Sequence, residues 1–123
     1  MGIDHSAISI ADLAASRRFY EKHGLTMGRR TLNQGPAQVA LDGLDGVEVD
    51  VLPMNPVDKP PHVELLGYRQ PAGRPHPPLA ANDVAATRIV WRANRDALVR
   101  DPDGHFLQLT RQDRSPANTA SRR

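Results

Sequence analysis

Residues 61–68, Pro-His-Val-Glu-Leu-Leu-Gly-Tyr, alternate polar and apolar side chains with the period of two that marks a strand with unlike faces. His62, Glu64, Leu66 and Tyr68 share one face, and Val63, Leu65 and Gly67 the other. Burying Glu64 without a partner would cost roughly several kcal/mol, so it must meet a cation, a metal or water. Upstream, Ile3 to Ile10 reads as a first strand with Ile3, His5, Ala7 and Ser9 on one side and Ile8 and Ile10 on the other. Asp12 is placed to cap a helix over Leu13 to His23, and Gly24 to end it. Leu25 to Leu32 reads as a second strand and Asn33 to Pro36 as a turn. Ala37 to Leu44 has no decisive period, and a short helical turn before Asp45-Gly46 is its best reading. Val47 to Leu52 alternates as a strand with one wet face, and Pro53 to Pro61 reads as a loop. The first half is thus a β-α-β-β-β unit.

Beyond Tyr68 the pattern changes. Residues 69–83 are rich in proline, which cannot donate to a sheet ladder, and read as an extended linker. Ala85 to Arg92 is a strand with Thr87, Ile89 and Trp91 on one face and Arg88, Val90 and Arg92 on the other. Asp96 to Arg100 is a short strand, and Asp101-Pro102-Asp103-Gly104 carries the residues of a tight turn. His105 to Thr110 is the last strand, with Phe106, Gln108 and Thr110 opposite His105, Leu107 and Leu109.

Composition narrows the function classes. A chain of 123 residues is one domain, long enough for a single core. Mean hydropathy is −0.51. No apolar run nears the about 20 residues that span a bilayer, and no signal segment opens the chain, so a cytoplasmic protein without membrane partners is expected. With no cysteine, disulfides, thiolate metal sites and a cysteine nucleophile are excluded. Net charge is only +2, and the arginines form no basic stripe with interleaved aromatics, so no nucleic-acid partner is expected. Residues 112–123 read as a flexible, solvated tail after a single domain over 1–111: module one 1–68, linker 69–83 and a shortened module two 84–111.

Three segments carry a resemblance. The opening His-Ser-Ala-Ile-Ser-Ile-Ala-Asp-Leu-Ala-Ala-Ser-Arg-Arg-Phe-Tyr-Glu, the central Val-Glu-Leu-Leu-Gly-Tyr with its following Pro-Ala-Gly, and the late Arg-Asp-Pro-Asp-Gly-His-Phe-Leu-Gln-Leu together resemble the vicinal oxygen chelate superfamily. That superfamily includes glyoxalase I, extradiol dioxygenases and bleomycin-binding resistance proteins. The resemblance implies an α+β fold of paired βαβββ modules, each a curved half-barrel around a cleft, often completed by a homodimer. Here only Asn94-Arg95 separates the Trp91 strand from the next, so the second module is expected to lack its helix. Ile89, Trp91, Leu107 and Leu109 would then lie uncovered, which predicts a second copy or the tail over them.

The same resemblance bears on chemistry. Its metal enzymes hold one divalent ion with four side chains, two per module. His5 and Glu64 match the first two positions, whereas Arg88 and Gln108 stand where His and Glu are usual. A guanidinium has no lone pair for a cation, so the usual metal site is expected to be broken, with Arg88 pairing to Glu64 instead. No cofactor is then expected; any divalent metal would fall to His5, Glu64 and Gln108. Tyr68, His62, Phe106, Gln108 and Arg92 are the expected ligand-binding residues, suited to a flat, largely apolar molecule. Two functions follow. One is metal-independent sequestration of a small, aromatic natural product or antibiotic, as in the bleomycin-resistance branch. The other is a lyase, isomerase or tailoring enzyme with Glu64 or His5 as general base and Arg88 stabilising an oxyanion.

Overall fold

Ile8 and Ile10 make one face of the first strand apolar, and the first unit of the protein packs on that face. The structure, a computed structural model, describes residues 1–57 and 62–111. The chain divides into two compact units, Met1–His76 and a second that begins at Pro77. The first contains β1 (His5–Ser9), α1 (Leu13–Lys22), β2 (Thr26–Met27), β3 (Thr31–Gln34), α2 (Pro36–Asp42), β4 (Glu48–Asn55) and β5 (His62–Gln70). Its five-stranded sheet runs β1-β5-β4-β2, with β3 also paired to β4. The outer pairing of β1 with β5 is parallel, while β4 meets β5, β2 and β3 antiparallel.

Asp12 caps α1 as its position predicts, its Oδ1 accepting the Ala15 N–H at 3.1 Å. The helix ends before Gly24, which sits at φ +95°. Ser16 and Tyr20 on α1 are buried, as are Ile8, Ile10, Leu52, Met54, Val63 and Leu65, which all lie on the apolar face of the sheet. Val63 and Leu65 are therefore core, and His62, Glu64, Leu66 and Tyr68 face the other way, as the alternation requires.

Several boundaries differ from expectation. Leu25 to Leu32 is not one strand: β2 and β3 are separate, with Gly28 between them. Gly28 N–H donates to the Pro53 carbonyl at 2.7 Å, and a Cβ there would stand 3.0 Å from Asn55 Nδ2 and 3.2 Å from Pro53 Cβ, so a side chain would fit only if these neighbours shifted. Asn33 and Gln34 belong to β3 rather than a turn, and the ambiguous stretch after them is α2, with Gly35 as N-cap and Pro36 in its first turn. β4 runs past Leu52 through Pro53 to Asn55, and β5 reaches Gln70. The expected tail and part of the expected Pro53–Pro61 loop lie outside the described residues.

The second unit is a three-stranded sheet, β6 (Arg88–Ala93), β7 (Ala97–Arg100) and β8 (Phe106–Arg111), in the order β6-β8-β7. Among the described residues it has no helix, as the short Trp91-to-Asp96 connection implied, and neither sheet closes into a barrel. The turn before β8 is held by Asp101, whose Oδ1 accepts the N–H groups of Asp103 and His105, both at 2.9 Å. One expectation is overturned. Leu107 and Leu109 are not an open patch: they are 0% and 5% exposed, on the central strand β8. Ile89 and Trp91 are half-buried, and on the sheet itself Val90 (61%) and Leu98 (43%) stand open on the opposite face. The argument for a second copy over Leu107 and Leu109 therefore falls. No helix among the described residues is long and apolar enough to cross a membrane.

On the helix side of the first sheet, beside Gly67, Asp50 is buried and accepts two hydrogen bonds from Arg69, Nε at 2.7 Å and a terminal nitrogen at 3.0 Å. Those bonds hold its carboxyl below the ordinary 3.8, burial opposing and the Arg69 charge reinforcing. A lowered folded-state value means a stabilising contribution that is complete above the unfolded-state value and is lost as pH falls through the folded one. Asp50→Asn is expected to lose about 1–3 kcal/mol at neutral pH. Its urea midpoints should also fall less steeply than those of the parent below about pH 4. Parallel acid limbs in the two proteins would show that the pair does not contribute this way.

Candidate functional site

The parallel register of β1 and β5 sets His5 directly opposite His62. Side chains in such positions stand about 5 Å apart, and the two imidazoles stack with centroids 5.0 Å apart and planes inclined by 14°. Glu64 follows two residues along the same face, opposite Ala7, whose methyl leaves its carboxylate room to turn toward the rings. Glu64 Oε1 lies 3.2 Å from His5 Nε2, and Oε2 lies 3.2 Å from His62 Nε2. Each carboxylate oxygen thus has its own ring nitrogen. The three side chains keep 30%, 24% and 21% exposure for His5, His62 and Glu64, enough for a ligand to reach them. One ligand atom from each lies within 4.8 Å of the others.

His5 has a second carboxylate. Its Nδ1 is 2.7 Å from Asp4 Oδ2, and that hydrogen bond, then the charge of His5, holds the Asp4 carboxyl below its ordinary range. A neutral imidazole has one N–H. If Nδ1 gives it to Asp4, Nε2 turns its lone pair toward Glu64. His62 meets Glu64 Oε2 through Nε2 and donates to it in the tautomer that carries the proton there.

Leu66 and Tyr68 continue the same face along β5, with Val49 and Val51 of β4 beside them. Burial raises the Tyr68 hydroxyl above its ordinary 10.0, and a hydrogen bond to Asp42 at the end of α2 adds to the effect, as does the charge of Asp42.

The remaining candidates belong to the second unit. Arg88, Val90 and Arg92 lie on one face of β6, and register places Phe106, Gln108 and Thr110 beside them. Arg88 donates to Gln108 Oε1 at 3.1 Å, and Gln108 Nε2 donates to Thr110 Oγ1 at 3.1 Å. Arg88 also donates to the Ala81 carbonyl at 3.5 Å. Phe106 is buried beneath the Arg100 guanidinium, 4.4 Å from its ring centroid, rather than open as a ligand wall. Arg92 is exposed. His105 pairs its Nδ1 with the Thr87 hydroxyl at 2.9 Å, a structural role.

The four-ligand centre implied by the sequence resemblance does not fit these residues. Arg88 offers no lone pair, and the Gln108 carboxamide is engaged at both ends. The structure instead brings together His5, Glu64 and His62, all within the first unit. Asp4 was not singled out from the sequence, although it directly precedes His5. His62 was assigned to ligand binding, but its equivalence to His5 depends on a strand register that alternation within β5 does not reveal.

No protein-family model matches this sequence, and no curated protein matches it. Among solved structures, the fold is similar to the crystal structure of a glyoxalase family protein from Bacillus cereus, with a TM-score of 0.76 over 87% of this chain and 91% of that chain. Identity is 18%, so the likeness is one of fold. It is the fold that the three sequence segments implied.

The raised Tyr68 value carries a sign. The folded protein favours the neutral phenol, so stability from this group is present below the unfolded-state value and is lost as pH rises past 10.0. In a Tyr20→Phe background, phenolate absorbance should appear above pH 10.0, and Asp42→Asn should move the curve toward it. An unmoved curve would remove Asp42 as a cause.

Proposed function

We propose that this chain is a small-molecule-binding protein of the glyoxalase fold, and that its binding face is the His5–Glu64–His62 side of the first sheet. The supporting observation is that both oxygens of Glu64 stand 3.2 Å from separate imidazole nitrogens while all three side chains remain partly exposed. Such a group can donate and accept hydrogen bonds at one spot, which suits a ligand carrying vicinal or phenolic oxygens. Flat imidazoles at one end, with Leu66 and Tyr68 further along the strand, suit an aromatic body. This is the chemistry of a protein that sequesters an aromatic natural product or antibiotic.

A second reading is favoured by one contact. His5 bridges Asp4 and Glu64, the arrangement of a base whose ring is oriented by a further carboxylate. In a lyase or isomerase, Glu64 or His5 would take a proton from a carbon next to a carbonyl.

The two readings part at Glu64. Flat aromatic acids and phenols screened by amide NMR should shift His5, Ala7, Glu64 and Leu66, and Glu64→Ala should weaken the best hit at least tenfold, about 1.4 kcal/mol. Glu64→Gln should change affinity only a few-fold, but would abolish turnover of any compound that the parent consumes. Hits that map elsewhere, or that bind Glu64→Ala as well as the parent, would overturn this site.

A further inference from the structure

The geometry points to a divalent-cation site made by His5, His62 and Glu64, with His62 supplying the donor that Arg88 cannot. This inference rests on the binding face proposed above and names the ion that the face takes.

Three observations carry it. The first is spacing. First-row divalent ions bind nitrogen and carboxylate oxygen at about 2.0–2.2 Å, which puts neighbouring ligand atoms roughly 3.0–3.4 Å apart. Both imidazole nitrogens stand 3.2 Å from a Glu64 oxygen. The second is the donor set. Two imidazoles and one carboxylate with solvent-facing room match the two-histidine, one-carboxylate sets that hold first-row metals and leave positions open for a ligand. Calcium and magnesium prefer all-oxygen shells and fit less well. The third is Asp4. Histidines that bind metals commonly give their other ring N–H to a carboxylate, which fixes the tautomer and raises the basicity of the bonding nitrogen. Asp4 stands 2.7 Å from His5 Nδ1, leaving Nε2 as the donor that faces Glu64.

All three donors come from β1 and β5, paired in parallel, so the site is complete within the first unit. The expectation of metal independence came from Arg88, and this set does not use Arg88.

Co²⁺ is the probe, titrated into the full chain after chelator treatment and followed by visible absorption, with Zn²⁺ titrated by calorimetry. One equivalent should bind saturably at micromolar concentrations with a d–d spectrum of nitrogen and oxygen ligation. His62→Ala should weaken binding at least tenfold, and Asp4→Ala should weaken it about tenfold or more. His62→Asn serves as the check if the alanine variant fails to fold, judged by its amide NMR spectrum. His76→Ala and Gln108→Ala should bind like the parent. No saturable binding, binding that survives His62→Ala or His62→Asn in folded protein, or equal loss in Gln108→Ala would overturn the inference. Protein that refuses Co²⁺ yet binds aromatic hits at Glu64 sinks the cation and keeps the binding face. Stoichiometric Co²⁺ lost in His62→Ala, with no aromatic hit, does the reverse.

Discussion

The pairing of β1 with β5 is the constraint on which the first unit depends. In its register Ile8 lies opposite Leu65 and Ser6 opposite Val63, so the apolar side chains of both strands fall on the face where Tyr20 is buried. The same register puts His5 opposite His62 and Ala7 opposite Glu64 on the other face. A slip of one residue would turn Ile8 and Ile10 outward and separate the imidazoles, because side chains alternate with a period of two. Core and candidate site are thus fixed by one set of backbone hydrogen bonds. Loss of apolar burial would penalise any slip, so the packing of Val63 and Leu65 holds Glu64 where it is.

The two faces handle their acidic groups differently. On the helix side, Asp50 is buried and satisfied by the bidentate Arg69, a strong arrangement that leaves little for a ligand to do. On the other side, the partners of Glu64 among the described residues are imidazoles, whose nitrogens switch between donor and acceptor as their tautomer changes. The first arrangement stabilises the fold. The second keeps a carboxylate partly exposed beside groups that can reorganise, and that difference makes Glu64 rather than Asp50 the centre of a candidate site.

The chain's alternation and its cap and turn residues made much of the fold legible. Val63, Leu65 and Glu64 fell on the faces that the period of two assigned them, and Asp12, Gly24 and Asp101 took the local roles their chemistry suits. What alternation could not give was anything set by a neighbouring strand. Gly28 divides β2 from β3 because the Pro53 backbone lies against it, a contact 25 residues away in sequence. Leu107 and Leu109 are buried on the central strand β8, and neither strand order nor what covers a face is written in one strand's pattern. The site shows the same division. Glu64 stood out as a carboxylate in mid-strand on the face it shares with His62, but bringing His5 to them needed a register between strands more than 50 residues apart.

Arg88 and Gln108 change together in their consequences. A guanidinium on β6 needs acceptors, and a carboxamide on the adjacent position of β8 offers an oxygen to it while its nitrogen is still free to donate. The structure uses both ends: Arg88 donates to Gln108 Oε1, and Gln108 Nε2 donates to Thr110. That row is closed among its own side chains and calls for no ion. The His5–Glu64–His62 row is not closed in the same way. Once the His5 N–H goes to Asp4, a lone pair and a carboxylate oxygen face each other at 3.2 Å, an arrangement that a proton or a cation would relieve. On the inference drawn above, the donors that the resembled metal enzymes divide between two modules would stand here in the first alone, on the two strands whose register also builds its core.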